Sequence, residues 1–149
     1  MVDEELVERF VEVGALILAE MRSLNPDVLD RPGPDGGWSP RFVVHHVADA
    51  ELVNARRLRR LLAEDAAHVG TFDQIALAEG THYEREIGPS IALFDAIQAA
   101  NVELIGSLSP EDWIREGTHI ELGRYTTSVW LTRRIDHNIG HRKQLTAAQ

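Results

Sequence analysis

Three clusters of helix-breaking residues divide this chain, and the segments between them share one regular period. The first cluster, Asn25 to Pro40 (NPDVLDRPGPDGGWSP), holds four prolines and three glycines and reads as a loop. The second, His68 to Ser90, is a longer irregular stretch with room for a short helix. The third runs from Ser107 to Tyr125. Ahead of the first, Asp3 to Leu24 sets Leu6, Phe10, Val13, Ile17 and Met21 at helical spacing. Ser39 can cap a second helix with Pro40 at its first position. That helix would run to about Ala66 and carry Val43, Val47, Val53, Leu58, Leu61 and Leu62. Pro89 can open a third, holding Ile91, Phe94, Ile97, Val102 and Ile105. Thr126 or Thr127 can cap a fourth that reaches about Ala147. Only THIELGRY (Thr118 to Tyr125) suggests a short extended piece.

Four helices in 149 residues predict an all-α protein, a four-helix bundle formed by one domain over 1–149. The connections are unequal. The second is long enough to cross the length of the bundle, which would leave helices two and three parallel. The expected order is therefore up-down-down-up, with a long crossover between helices 2 and 3.

Composition narrows the partners. With 15 basic and 24 acidic residues the net charge is −9, and no basic run offsets it. Phosphate binding is dominated by Lys and Arg, so neither nucleic acid nor an anionic membrane surface is an expected partner. There are no cysteines, which removes disulfides, thiolate metal sites and a cysteine nucleophile. The acidic, amphipathic start MVDEELVERF does not have the form of a signal peptide, and no apolar run is long enough for a membrane span. A cytoplasmic location is expected.

The chemistry concentrates in seven histidines. His137 and His141 form an HxxxH pair. Residues four apart on a helix stand on one face, about 5–6 Å between Cβ atoms, so two imidazoles can aim at one point. Alone, the pair is as readily two exposed residues as half of a metal site. His46, in VVHHVADAE, supplies the third candidate. Stepping about 100° per residue from His46 places Val43, Val47, Ala50, Val53 and Leu61 on its side, so it faces the interior. His45 then points toward the rim or solvent. A buried histidine needs partners for its nitrogens, so His46 is either a satisfied core residue or a ligand.

Depth along the helices bears on that choice. His46 lies roughly 10 Å into helix two, and His137 and His141 lie at a comparable depth before the end of helix four. If the two helices are antiparallel, the three rings meet at one level. If they are parallel, the rings miss by roughly 6–12 Å.

WSPRFVVHHVADAE followed by DHNIGHRKQL resembles the DinB/YfiT-like family, whose members are provisionally classed as metal-dependent enzymes. The resemblance runs from Trp38 to Leu145 and includes FDQIALAEG and LSPEDWIREGTHIELGRYT. It implies a four-helix bundle of the order argued above, members that often dimerise, and a metal site at His46, His137 and His141.

Other residues have two readings each. His119 either overhangs the site, as substrate contact or ligand, or fixes its own loop. Asp49, one turn after His46, either orients an imidazole or is solvated. Arg133 and Arg134 either hold a substrate carboxylate or form salt bridges. His68 and His82 read as surface residues. Trp38 and Trp113 read as packing anchors, and Tyr125 and Trp130 as pocket or core.

Three neutral histidines leave a coordination position open, the form of a catalytic rather than a structural zinc site. Zinc or nickel is the expected divalent ion. It would lower the pKa of a bound water toward 7, or ionise a bound thiol. Two activities follow, hydrolysis or transfer of a low-molecular-weight thiol, and the resemblance implies both. The substrate would be a small molecule. No HExxH glutamate is present, since Asn138, Ile139 and Gly140 separate the histidines. Glu51 and Asp49 are the candidate bases. The non-enzymatic reading is a metal-holding or structural bundle with a stress-response role. It predicts a closed site, plugged by a fourth side chain such as His119, where an enzyme should show a cleft.

Overall fold

A computed structural model describes residues 3–149. Four long helices form the bundle: α1 (Glu4–Arg22), α2 (Pro40–Ala63), α4 (Gly88–Gly106) and α6 (Thr127–Ala147). Two shorter ones lie in the connections, α3 (Gln74–Gly80) and α5 (Pro110–Trp113). The helix starts follow from side chains that satisfy the unpaired first-turn amides. Asp3 accepts from Leu6 N in α1, Ser39 from Phe42 N in α2, and Thr126 from Val129 N in α6. Ser109 and Asp112 form a reciprocal capping box on α5.

Side-chain contacts fix the helix directions. Phe10 meets Trp130, and Gln149 reaches Glu20, so α1 and α6 run parallel. His45 bonds Ser90 near the start of α4, and Arg59 bonds Asn101 near its end, so α2 and α4 are parallel. Trp130 Nε1 donates to Asn54 O while His137 meets His46, which makes α2 and α6 antiparallel. Arg22 pairs with Asp95, and Gln98 donates to Phe10 O, so α1 and α4 are antiparallel. The order is up-down-down-up, and the crossover after α2 carries α3.

The connections add a small sheet whose first strand had no period-2 signal. Strand β1 (His68–Val69) pairs in parallel with β2 (Glu116–His119), which pairs antiparallel with β3 (Gly123–Thr126). Gly117 is required there: a Cβ on it would stand 2.5 Å from Ala67 O. Gly123 takes a positive φ of 74° at the β2–β3 turn, where a side chain would be strained. The sheet ties the crossover to the third connection and brings His119 and Tyr125 beside α6.

The apolar core is divided along the bundle. Phe10, Val13, Leu58, Leu61, Ile105, Trp130 and Leu131 form one cluster, and Ile17, Met21, Val43, Val47, Phe94 and Leu145 form another. Between them each of three helices contributes buried polar residues: Glu51 and Asn54 from α2, Gln98 and Asn101 from α4, Arg134 and Asn138 from α6. Gly14 completes the layer on α1, where Gln98 occupies the space a side chain would fill. No helix among the described residues is long and apolar enough to cross a membrane.

Candidate metal centre

His46 comes from the second turn of α2, and His137 and His141 from successive turns of α6. The antiparallel pairing brings all three rings to one level, as their depths predict. His46 Nε2 lies 3.1 Å from His137 Nε2, and His141 Nε2 lies 3.1 Å from the same atom. One nitrogen of each ring lies within 4.8 Å of the others.

The neighbours of the rings fix their tautomers. His141 Nδ1 donates to Gln144 Oε1 at 2.6 Å, and His137 Nδ1 faces Asn138 Oδ1 at 3.4 Å. A neutral imidazole carries one proton, so a proton on Nδ1 leaves a lone pair on Nε2. In His137 and His141 those lone pairs converge, with His46 Nε2 alongside. Burial first, then the charges of His141 and Arg134, pushes His46 down to about 4. Burial first, then Arg134 and the two neighbouring rings, pushes His137 down to about 2. Burial also lowers His141. All three rings are therefore neutral at pH 7; His46, whose Nδ1 has no partner, can turn its one proton on Nε2 toward His137, while the Nε2 lone pairs of His137 and His141 still face each other at 3.1 Å.

A divalent cation fits this arrangement. With metal–nitrogen distances of about 2.0–2.1 Å, tetrahedral ligand nitrogens stand about 3.3 Å apart. The two 3.1 Å separations are close to that. The Nδ1–H partners on His137 and His141 are of the kind that orient metal-bound imidazoles. His46 Nδ1 has no hydrogen-bond partner, and packing holds that ring instead. Trp38 lies 4.8 Å from the His46 ring and stacks on His141 at 6.1 Å and 11°. Trp38 thus packs directly on these rings, and Gln144 is a neighbour of the cluster that the sequence did not single out.

A cleft of about 260 Å3 opens beside the cluster, and His46 and His137 form part of its wall. Its other lining residues include Asn54, Arg57, Phe72, His119, Glu121, Tyr125, Arg133 and Arg134. His119 Nδ1 accepts from Glu121 N at 3.1 Å and Leu122 N at 3.4 Å. It therefore fixes its loop, and its proton sits on Nε2, the one polar ring atom left for a ligand in the cleft. The group able to hold a metal contains His46, His137 and His141, without His119.

The remaining candidates separate. Arg134 lines the cleft and stands 3.7 Å from Glu51. Glu51 is fully buried in the polar layer, not poised over the cleft. Asp49 accepts from Tyr83 OH at 2.8 Å and orients no imidazole. His45, expected at the rim, is fully buried: its Nδ1 meets Ser90 Oγ at 2.7 Å and its Nε2 meets Arg85 O at 2.9 Å. The reason is that α2 faces two neighbours, α4 and α6, and the buried arc is wider than one stripe. His68 and His82 are exposed, as expected. Trp113 and Trp130 are core residues, and Tyr125 is both buried and part of the cleft wall.

The family profile of the DinB superfamily matches residues 5–145. A protein of Bacillus licheniformis is 30% identical over 151 residues, covering 95% of this chain and 85% of its own length. One from Oceanobacillus iheyensis is 29% identical over 119 residues, covering 80% and 69%. Both are named, provisionally, as metal-dependent hydrolases. Among solved structures, YfiT from Bacillus subtilis superposes with a TM-score of 0.87 at 24% identity, over 99% of this chain and 87% of that one. It is described as having an unusual four-helix bundle topology. Another, described as a four-helix bundle protein, gives 0.68 at 28% identity over 97% and 98%.

Proposed function

The chain belongs to the DinB superfamily, and from the convergence of three imidazoles beside a cleft we propose that it is a metal-dependent hydrolase acting on a small molecule. The observation that carries this reading is that the nitrogens of His46, His137 and His141 share one focus while part of the cluster forms the wall of a cleft. A purely structural site would be closed by a fourth ligand, and His119, the fourth candidate offered by the sequence, spends Nδ1 on its own loop. The names of the relatives support the same reading.

A zinc or nickel ion held by the three rings would supply Lewis acidity, lowering the pKa of water toward neutrality. The protein's own residues do the rest. Gln144 holds the His141 ring with its Nε2 lone pair inward. Burial keeps His46 and His137 unprotonated, and the positive potential of Arg134 adds to it. His119 offers Nε2–H as a donor in the cleft, and burial keeps it neutral at pH 7. Phe72 and Tyr125 narrow the space open to water. Glu51 and Asp49, the two candidate bases, are committed to Arg134 and Tyr83. Activation by the ion needs no such base.

That same lack of a free carboxylate base favours a second reading, transfer of a low-molecular-weight thiol, since a thiol also ionises on coordination. Both readings take a small-molecule substrate, with neither nucleic acid nor membrane as partner, and both fit a cytoplasmic homodimer.

Metal analysis of protein purified without an affinity tag, alongside His46→Ala, tests the centre. One equivalent of divalent metal is expected in the parent protein and much less in the variant. Equal content would remove the assignment. Ester and amide substrates, run against electrophiles with a panel of thiols, then separate the two activities. Silence in both panels would leave a metal-holding bundle.

A further inference from the structure

We propose that the cleft is an oxyanion-recognition pocket, in which Arg57, Arg133 and Arg134 bind a carboxylate or phosphate group of the substrate. Orientation of that substrate toward a metal rests on the function proposed above; binding of the anion does not.

The charge distribution is the first observation. The chain carries −9 overall, yet the cleft wall holds three arginines and one carboxylate, Glu121. Among the described residues neither Arg57 nor Arg133 has an ion-pair partner, whereas exposed arginines such as Arg9, Arg22, Arg60 and Arg124 do. Arg57 is held in place by uncharged groups: it donates to Gly70 O and to Asn54 Oδ1, and it lies over the Phe72 ring at 5.7 Å. The guanidinium is thus fixed without an ion pair, and Glu121 in the same wall acts on it only from beyond ion-pair distance.

Arg134 is the second observation. It is 6% exposed, and neither Nε nor Nη1 has a hydrogen-bond partner. Glu51 neutralises its charge from 3.7 Å, but that separation is too long for a hydrogen bond. Nε and Nη1 are sealed from solvent and Nη1 faces Glu51, so the donor that an oxyanion in the cleft would meet is Nη2, which is neither hydrogen-bonded nor sealed. Phosphate and carboxylate both match the guanidinium fork.

Size limits the ligand. A volume of about 260 Å3 holds about nine waters at roughly 30 Å3 each, so the part of the ligand inside the cleft is the size of a small metabolite.

The test titrates chelator-treated protein and zinc-loaded protein, each with succinate, inorganic phosphate and the uncharged succinamide, followed by calorimetry and by NMR shifts of the arginine side chains. Two variants accompany the parent: the double change Arg57→Ala with Arg133→Ala, and Arg134→Lys, which keeps the charge facing Glu51. The metal-free parent should bind succinate or phosphate at least about tenfold more tightly than succinamide, a difference of about 1.4 kcal/mol, because charge-assisted hydrogen bonds are stronger than neutral ones. The double variant should lose that preference while retaining its zinc content. Arg134→Lys should weaken the anion and leave succinamide unchanged. Should Arg134→Lys not fold, the double variant still decides. Preference for succinate alone identifies a carboxylate, and preference for phosphate alone a phosphoryl group. Equal binding of charged and uncharged probes, no saturable anion binding, or a double variant that matches the parent overturns the proposal. Zinc uptake without anion binding defeats this proposal only. Anion binding without zinc uptake defeats the metal reading and leaves the pocket standing.

Discussion

The indole of Trp38 lies almost parallel to the imidazole of His141, 6.1 Å away and tilted by 11°, and it also packs 4.8 Å from His46. A loop residue just ahead of α2 therefore touches two rings that come from different helices. His46 has no hydrogen bond on Nδ1, so this packing is what orients it. Replacing Trp38 with Ala should lower metal affinity by roughly tenfold, the lower end of the range for lost support around a metal ligand. Trp38→Phe should retain most of it. Trp38 also sits close enough to report occupancy, so its fluorescence should change on zinc addition to the parent protein and not to Trp38→Phe.

Gln144 should matter more than its exposed position suggests. Its Oε1 accepts from His141 Nδ1 at 2.6 Å and fixes the tautomer that turns Nε2 inward. Gln144→Leu removes the acceptor and frees the ring to rotate or change tautomer. Zinc affinity should fall by about 10–100-fold, with helix content by circular dichroism unchanged. An affinity equal to the parent's would show that the ring needs no outer partner.

Chelator-treated protein should lose stability as pH falls from 7 to 5. The rings of His46 and His137 are pushed down to about 4 and about 2, while in the unfolded chain they titrate near 6.5. Between those values the unfolded chain binds protons that the folded chain refuses, so acid favours unfolding. Stability is full above about pH 6.5. By pH 5 the loss is about 2 kcal/mol for each ring that stays neutral. The exposed carboxylates held low by arginines, Asp30, Glu64 and Glu116, lose their contribution only at lower pH. Urea midpoints at pH 7 and 5 measure the loss, and His137→Gln should flatten the difference. Saturating zinc should shift the loss to lower pH.

The four long helices and the meeting of three histidines were legible because each rests on a period or a length. Apolar residues recur at helical spacing, caps stand at Ser39 and Thr126, and depth from a helix end sets the level at which a ring sits. The strand His68–Val69 was not legible, since two residues cannot show an alternating pattern, and its parallel pairing depends on the bare backbone of Gly117 meeting Ala67 O. His45 was misplaced because a single apolar stripe assumes one neighbour, and α2 has two. The roles of Trp38 and Gln144 depend on tertiary placement that spacing along one helix does not convey. For Arg134 the sequence leaves two readings open, a substrate carboxylate contact or a salt bridge, and gives no sign that the side chain is buried. Its burial follows from the polar layer, which forms only when α2, α4 and α6 align.

That layer makes Arg134 and Glu51 a linked pair. Glu51 is pushed up by burial and held down chiefly by Arg134, and its Oε2 has no hydrogen-bond partner. Asn101 reaches the other oxygen only at 3.5 Å. Arg134→Met alone leaves a buried carboxylate without its counter-charge and should cost about 3–5 kcal/mol. Glu51→Gln alone strands the guanidinium and should be destabilising as well. The double variant removes both charges from the interior, so it should recover most of the loss and match or exceed the parent in urea midpoint. Because the cleft needs Arg134 for its anion, the same double variant should be stable yet deficient in succinate and phosphate binding. A double variant whose loss equals the sum of the two single losses would show that the two side chains act independently, and that the 3.7 Å separation between them contributes nothing to the fold.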